Sequence, residues 1–305
     1  MILETIKGWI ALDSIEYFDR QNGQLCRETV MGDAAIKWAY QTMSGQWCSQ
    51  LLFGTSWLSR ALGWYFDSPL SKGKIDSAIT DLNIDESEFA EPRETFASFN
   101  AFFTRKLKEG ARPFSEDPAH FLCPADGRLL VYEDIEGDSL VTVKGVEDRL
   151  DALFGRPMAE FCGGKVAVVR LCPADYHRYH FPCDATVADS VAIAGQYHSV
   201  NPMALKAKPR VFCVNKRSYT LLDSDRFGRV AFMEVGAFGV AGIHQTYQGK
   251  SVERMQEKGY FDFGGSTVVL VFLKDAIVFD DDLLKNSAAG IETLVKVGET
   301  IGHQP

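Results

Sequence analysis

Short runs of β-branched residues recur between glycines over the C-terminal two thirds of the chain, and this pattern constrains the fold most. The runs begin near Phe121 and cover residues 128–132, 140–143, 166–171, 186–194, 211–214, 230–235 and 267–272. Runs of this length between turn residues are typical of strands in a barrel or a sandwich. Residues 294–302 predict one more strand, a tight turn at Gly298, and a last strand.

The first hundred residues differ from the rest and predict helices. Residues 34–66 have few turn signals and hold four of the five tryptophans, at positions 38, 47, 57 and 64. Two interpretations stay open for this segment: a helical pair packed on the main core, or an interfacial element whose rings lie among lipid headgroups. Residues 67–98 predict a connector with short helices, and residues 99–114 an amphipathic helix ended by Gly110 and Pro113.

The expected fold class is therefore α+β. An N-terminal helical region over residues 1–98 precedes a β-rich domain, barrel- or sandwich-like, over residues 99–305.

Charge and composition narrow the possible partners. The net charge of -9 gives no basic surplus for binding nucleic acid, and it disfavours electrostatic attraction to anionic lipid. Seven cysteines without a CxxC pair indicate reduced thiols rather than a disulfide framework. Glu4, Lys7 and Asp13 interrupt the apolar stretch that a signal peptide needs, and no apolar run is long enough to span a bilayer. We expect a cytoplasmic protein, with a membrane surface as one possible address.

Gly264, Gly265 and Ser266 stand between an aromatic run and an apolar strand. A flexible turn is the plain interpretation. Glycine also lets the backbone take conformations closed to other residues and allows close approach to the residue 265 carbonyl. Attack by the Ser266 hydroxyl there would shift the acyl group from nitrogen to oxygen. Elimination from the resulting ester would leave dehydroalanine, and loss of ammonia would leave a pyruvoyl group.

A serine hydroxyl that acts as a nucleophile needs a base, and the base needs an orienting partner. Two of the six histidines, His177 and His180, fall in one dense segment, DYHRYHFP. The flanking Pro173 and Pro182 argue against a helix, and no third ligand has metal spacing, so we expect no metal. On an extended chain these histidines point to opposite faces, which indicates different tasks.

Asp126 lies in the tight turn PADG before an apolar strand and is the leading candidate to orient a histidine. An ordinary turn aspartate is the alternative. Asp175 is a rival, but its closeness to His180 along an extended segment makes it poorly suited to hold that imidazole.

PADG, YHRYHFP and FGGST, in this order and near these spacings, resemble the phosphatidylserine decarboxylase family. Residues 99–114 and the Ser199-Val200-Asn201 segment are also similar to that family, so the resemblance extends over most of the chain from about residue 30. It implies self-cleavage between Gly265 and Ser266 into a β chain of residues 1–265 and an α chain of residues 266–305, with Ser266 becoming a pyruvoyl cofactor and no metal. Asp126, His180 and Ser266 would form the self-processing triad, and His177 would serve decarboxylation.

The implied function is decarboxylation of phosphatidylserine to phosphatidylethanolamine and CO₂, through a Schiff base on the pyruvoyl group. Ser199 and Asn201 are candidates for holding the substrate, as are residues 215–217 for its phosphate. The resemblance also implies a heterodimer of the α and β chains, which could pair further, at the cytoplasmic side of the membrane as a peripheral protein.

Two other functions stay open at this point. Relatives of this family decarboxylate soluble, aromatic amino acids, and their chemistry at the serine would be the same. A β-rich, non-enzymatic binding module is the second alternative, in which Gly-Gly-Ser is an inert turn.

Overall fold

The computed structural model describes residues 16–28, 56–134, 140–143, 146–196, 198, 211–239 and 242–305. Their helices are α1 (Ser56–Asp67), α2 (Ile75–Leu82), α3 (Phe99–Phe103), α4 (Leu150–Phe154), α5 (Val211–Val214) and α6 (Asp281–Ala288). Short 3-10 turns cover Pro69–Lys74, Glu86–Glu88, Arg93–Thr95 and Ala159–Phe161.

The strands of the first half are β1 (Glu16–Asp19), β2 (Gln24–Arg27), β3 (His120–Leu122), β4 (Gly127–Tyr132), β5 (Leu140–Val143), β6 (Val146–Arg149), β7 (Lys165–Leu171), β8 (Arg178–His180) and β9 (Ala185–Ile193). Those of the second half are β10 (Arg217–Ser224), β11 (Gly228–Gly239), β12 (Ile243–Gln245), β13 (Ser251–Val252), β14 (Glu257–Phe261), β15 (Gly264–Phe272), β16 (Val278–Phe279), β17 (Glu292–Val295) and β18 (Thr300–His303).

One ten-stranded open sheet organises the molecule, in the order β13-β9-β10-β11-β15-β7-β4-β17-β1-β2. The candidate serine lies on β15, which pairs antiparallel with β11 on one side and β7 on the other. Both neighbours supply long ladders of backbone hydrogen bonds, so the segment that follows Ser266 is held in the middle of the sheet.

Both faces of this sheet are covered, which is what its apolar strands require. On one face, two small sheets, β12-β14-β8 and β16-β18-β3, enclose a core that includes Phe121, Tyr179, Phe232, Phe261 and Leu270. The other face packs against α4 and α5. The α+β fold class with a β-rich, sandwich-like body is confirmed.

The helical segment before the β-rich region packs next to the candidate cleavage site. The Phe66 ring, on α1, lies 4.2 Å from the Phe263 ring, and the Phe99 ring, on α3, lies 5.1 Å from it. Because Phe263 precedes the Gly-Gly-Ser segment directly, these aromatic contacts fix the chain as it enters β15.

Three expectations about local structure were wrong. Residues 211–214 form the short helix α5 rather than a strand, with Val211 and Phe212 buried against the large sheet. The expected helix over residues 99–114 ends at Phe103, because residues 106–108 leave it to hydrogen-bond Glu88 and Ala90.

The third expectation that was wrong is that the N-terminal region is helical throughout. Strands β1 and β2 form a hairpin, and β1 pairs in parallel with β17 near the opposite end of the chain. The expected strand, turn and strand over residues 294–302 are confirmed, with Gly298 at φ +87°.

Most of the tryptophan-rich segment, including Trp38 and Trp47, lies outside the described residues, and Trp57 lies in α1. In the part of the chain that the structure describes, no helix is both long and apolar enough to cross a membrane.

Candidate active site

Ser266 is fully buried near the start of β15, opposite Gly236 of β11 and Leu171 of β7. The ladder between β11 and β15 shifts its register between Gly236 and Gly239, immediately beside the serine. Gly264 has φ +147°, a conformation that residues with a side chain rarely adopt. The sequence placed the unusual backbone conformation at Gly265, whereas in the structure the positive φ lies one residue earlier, at Gly264.

The hydroxyl of Ser266 faces the imidazole of His177, with 3.3 Å between Oγ and Nδ1. The other ring nitrogen, Nε2, lies 2.9 Å from the carbonyl oxygen of Cys172. A carbonyl oxygen can only accept a hydrogen bond, so Nε2 carries the proton and Nδ1 is left as an acceptor. The backbone carbonyl of Cys172 thus fixes the tautomer of His177, which is the role that an aspartate carboxylate has in a serine triad.

His177 is neutral in this environment. Burial lowers the pKa of its imidazole to about 3, because the charged form would lose its solvation. The Phe103 ring lies against it, with 3.9 Å between ring centroids and an angle of 30° between the planes. The ring is therefore both uncharged and held in position, as a proton acceptor beside a hydroxyl should be.

The sequence assigned the proton of Ser266 to His180, but the structure brings His177 to the hydroxyl instead. The reason is the alternation of side chains along β8. Tyr179 points into the core against Phe232 and Phe261, while Arg178 turns the other way and binds Glu257. His180 shares the side of Arg178, so the expectation that the two histidines lie on different faces agrees with the structure.

His180 is a second neutral imidazole, on a residue that is partly exposed to solvent. Burial lowers its pKa to about 4, and its backbone N–H donates to the carbonyl of Pro124, in the PADG turn. Its Nδ1 is buried and has no hydrogen-bond partner among the described residues. An unpaired polar atom of this kind is costly and calls for a functional explanation.

Asp126 is buried, and both of its carboxylate oxygens accept hydrogen bonds. Arg112 donates to them at 2.6 and 3.0 Å, and the backbone N–H of Val297 donates at 2.8 Å. Within the described residues, neither oxygen bonds an imidazole. Its charge nevertheless acts on both histidines by opposing the decrease of their pKa values.

Asp175, which the sequence left as a rival, supports His177 indirectly. One carboxylate oxygen accepts the backbone N–H of Cys172 at 2.6 Å, and the Asp175 N–H donates to the Cys172 carbonyl at 2.9 Å. Arg128 donates to both carboxylate oxygens at 2.6 Å. The carbonyl that orients His177 is thus fixed by a buried ion pair.

Cys172 could not be found from the sequence, because its backbone carbonyl contributes and its side chain does not. Asp175 carried a weak signal through its position beside the histidine motif.

The structure describes some of the residues predicted to bind substrate and not others. Ser199 and Asn201 lie outside the described residues. Asn215 donates to the carbonyls of His198 and Gly236, and Arg217 to that of Leu153, so both brace the backbone. In the described ranges no set of histidine, cysteine and acidic residues could hold a metal ion.

Together these features define a class: a β-rich protein with a buried serine after a glycine pair, facing a neutral imidazole. The family model for phosphatidylserine decarboxylase matches residues 99–303. The chain is 40% identical over 295 residues to a phosphatidylserine decarboxylase proenzyme of Fusobacterium nucleatum, covering 96% of this chain and 98% of the relative.

Proteins of the same name from two clostridia are equally similar. That of Clostridium novyi is 42% identical over 291 residues, covering 94% of this chain and 99% of the relative. That of Clostridium perfringens is 41% identical over 293 residues, covering 95% and 100%. The chain belongs to the phosphatidylserine decarboxylase family.

Proposed function

We propose that this protein is a phosphatidylserine decarboxylase, a lyase that forms phosphatidylethanolamine and CO₂ after cutting its own chain between Gly265 and Ser266. The observation that carries the proposal is the buried Ser266 hydroxyl facing the unprotonated Nδ1 of His177 at 3.3 Å. Membership of the family and the printed name of the relatives, proenzyme included, support it.

Self-cleavage begins with Ser266 Oγ attacking the carbonyl carbon of Gly265. The C–N bond breaks as the C–O bond forms, and the hydroxyl proton ends on the freed amine. Loss of the Ser266 α-proton then breaks the Cβ–Oγ bond, releasing the carboxylate of Gly265, and water replaces the nitrogen, releasing ammonia. Glycine at 264 and 265 leaves that carbonyl open to attack.

We assign the proton transfer of cleavage to His180 with Asp126. The buried Nδ1 of His180 has no hydrogen-bond partner among the described residues, so this nitrogen is available to accept a proton. Because His180 lies on the other side of β8 from His177, this role requires the segment to rearrange during cleavage. Its attachment to the Pro124 carbonyl keeps it on the turn that carries Asp126, whose charge favours the imidazolium that forms.

The residues around position 266 fit a pyruvoyl group. Ser266 is buried, held by β-ladders on both sides, and bordered by a neutral imidazole. A pyruvoyl carbonyl supplies the site that takes up a substrate amine and accepts the electron pair left by departing CO₂. His177 remains beside this position after cleavage, and we assign to it the return of a proton to the substrate carbon. Phe263 and Phe103 exclude water there, as their ring contact indicates.

The two products of cleavage are expected to stay together as a heterodimer. The new chain keeps β15 between β11 and β7. It also contributes Glu292, which accepts two hydrogen bonds from buried Arg170 at 2.6 and 3.1 Å, and the Val297 N–H bound by Asp126.

The protein associates peripherally with the cytoplasmic side of the membrane. Two apolar side chains near the end of α1, Trp64 and Leu70, are 70% and 75% exposed. They flank Phe66, which packs against Phe263 next to the cleavage segment. Exposed apolar groups so close to the site suit contact with a lipid surface. Ser199 and Asn201 remain the proposed contacts to the lipid headgroup.

One experiment tests both cleavage and substrate. Purified wild-type protein should run on a denaturing gel as chains of residues 1–265 and 266–305, and Ser266→Ala should stay whole. Wild type should release CO₂ from phosphatidylserine vesicles, but not from free serine or tryptophan, and Ser266→Ala should release none. An intact wild type would contradict self-cleavage. Release from a free amino acid alone would contradict the lipid substrate.

A further inference from the structure

Lys258 and Glu234 form an ion pair in the interior, and the reaction described above does not use it. Lys258 Nζ lies 2.5 Å from Glu234 Oε1, and both side chains are 0% exposed. Burial lowers the pKa of Lys258, although the carboxylate of Glu234 opposes that change. Two charges have therefore been moved out of water into the core beside the candidate active site.

The pair is the centre of a closed polar network. Lys258 also donates to Gln245 Oε1 at 3.0 Å, and the second oxygen of Glu234 accepts from Ser218 Oγ at 2.6 Å. Gln245 Nε2 donates in turn to Ser218 Oγ at 3.2 Å. The ammonium lies 4.9 Å from the centre of the Phe232 ring. Four side chains from four strands are thereby locked into one arrangement.

Stability alone is a weak explanation for such a pair. Removing two ions from water is costly, and well-packed apolar residues in their place often leave the protein as stable or more so. The network differs from apolar packing in its geometric specificity. Hydrogen bonds between charged groups fix the distances and angles between the side chains that they join.

The two residues sit on the strands that determine the geometry of cleavage. On β11, Gly236 lies opposite Ser266 and Glu234 lies opposite Val268. Side chains alternate along a strand, so Glu234 projects from the same face as Ser266, at the diagonal separation of roughly 7–8 Å.

Lys258 stands on β14, from which the chain runs into Gly264 and the scissile bond. The pair thus joins the strand that leads into the cleavage segment to the strand that opposes it. The register shift of the β11–β15 ladder, between Gly236 and Gly239, follows directly after these residues on β11. A slip of one strand against the other would be easiest there.

We propose that Lys258 and Glu234 are positioning residues for self-cleavage, which hold the Gly264–Ser266 segment against Gly236 in the register that lets Oγ reach the Gly265 carbonyl. This inference rests on the proposed function. A displacement of about 1 Å can slow a reaction by 10²-fold, so loss of the pair should slow cleavage strongly even where the fold persists.

The test is a time course of chain cleavage after cell-free synthesis, for wild type and for the apolar double variant Lys258→Met/Glu234→Leu. We expect the double variant to keep the thermal midpoint of an uncleavable reference, Ser266→Ala, while cleaving at least about tenfold more slowly than wild type. Hydroxylamine cuts esters, so it should release the two chains quickly only if the first, acyl-shift step has occurred. We expect it not to restore scission in the double variant, because that step is the one that needs the register.

Each alternative result is decisive. Cleavage of the double variant at the wild-type rate, or rapid scission with hydroxylamine, would overturn the positioning role while leaving the proposed function intact. An uncleaved wild type would overturn both. If the double variant does not fold, the cleavage rate of Ser218→Ala tests the positioning role instead. This variant removes one hydrogen bond to Glu234 without changing a buried charge. Slower cleavage at an unchanged midpoint would support the role, and a wild-type rate would overturn it.

Discussion

The Nε2 of His177 donates to the carbonyl of Cys172 at 2.9 Å, and this bond presents an unprotonated Nδ1 to Ser266. The histidine closest to the reacting residue is therefore oriented by the backbone. The carboxylate of Asp126, by contrast, is occupied by Arg112 and the Val297 N–H. The position of this imidazole thus depends on how firmly the turn around Cys172 is held.

The two histidines should be separable by mutation. We expect His180→Ala to remain uncleaved, and His177→Ala to be cleaved but to release CO₂ at least about 10²-fold more slowly, the usual loss for a missing proton donor. Denaturing gels and CO₂ release from phosphatidylserine vesicles measure the two effects. His120→Ala is the matched control, since His120 is partly exposed and bonds Ser115. A His177→Ala protein that stays whole while His180→Ala is cleaved would exchange the two roles.

Cleavage should not follow the titration of an ordinary histidine. The pKa values of His177 and His180 are lowered by burial to about 3 and about 4, so both remain neutral in the folded protein at pH 5. The cleavage rate should therefore stay level between about pH 7.5 and 5, whereas a base with the usual pKa of about 6.5 would fade over that range. A rate that halves near pH 6.5 would be inconsistent with neutral His180 as the base in cleavage.

The same pKa values predict the opposite behaviour for stability. Because the folded-state pKa values are depressed, the unfolded chain binds more protons than the folded one below about pH 6.5. The contribution of these neutral histidines is present above that pH, and it is lost as pH falls toward 4 and 3. The midpoint of urea unfolding of Ser266→Ala, followed from pH 7.5 to 5, should decrease accordingly.

A side chain at position 264 should impair cleavage. Gly264 has φ +147°, so an alanine there would force the segment out of its conformation, at a cost of about 1–3 kcal/mol. We expect slower cleavage in Gly264→Ala, measured by the fraction of cut chain over time. Gly73→Ala is the control, because that glycine has an ordinary φ and open space around it. Equal rates in the two variants would argue against a conformational requirement at Gly264.

Breaking the support of Cys172 should affect His177 at a distance. Asp175→Asn removes the charge that pairs with buried Arg128, and we expect a loss of about 3 kcal/mol in the free energy of unfolding. CO₂ release should fall as well, because the Cys172 carbonyl is no longer fixed. The control is Asp189→Asn, whose ion pair with Arg156 is solvent-exposed and contributes below about 1 kcal/mol. Full activity of Asp175→Asn would exclude this support.

The sequence by itself determined the β-rich body, and it predicted the chemistry at Gly265 and Ser266 and two differently directed histidines. These features depend on local patterns: period-two strands, glycines before a serine, and alternation on an extended segment. Residues 211–214 escaped this reasoning, because four apolar residues fit a short helix as well as a strand.

Only the tertiary structure decided which imidazole meets Ser266 and what orients it. That choice depends on which side of β8 faces the large sheet, and no local pattern contains it. The Cys172 carbonyl, the Asp175–Arg128 pair and the Lys258–Glu234 pair join residues far apart along the chain. A sequence shows which groups could act as acids, bases or ions, but their partners are set by strand register and packing, which exist only once the chain has folded.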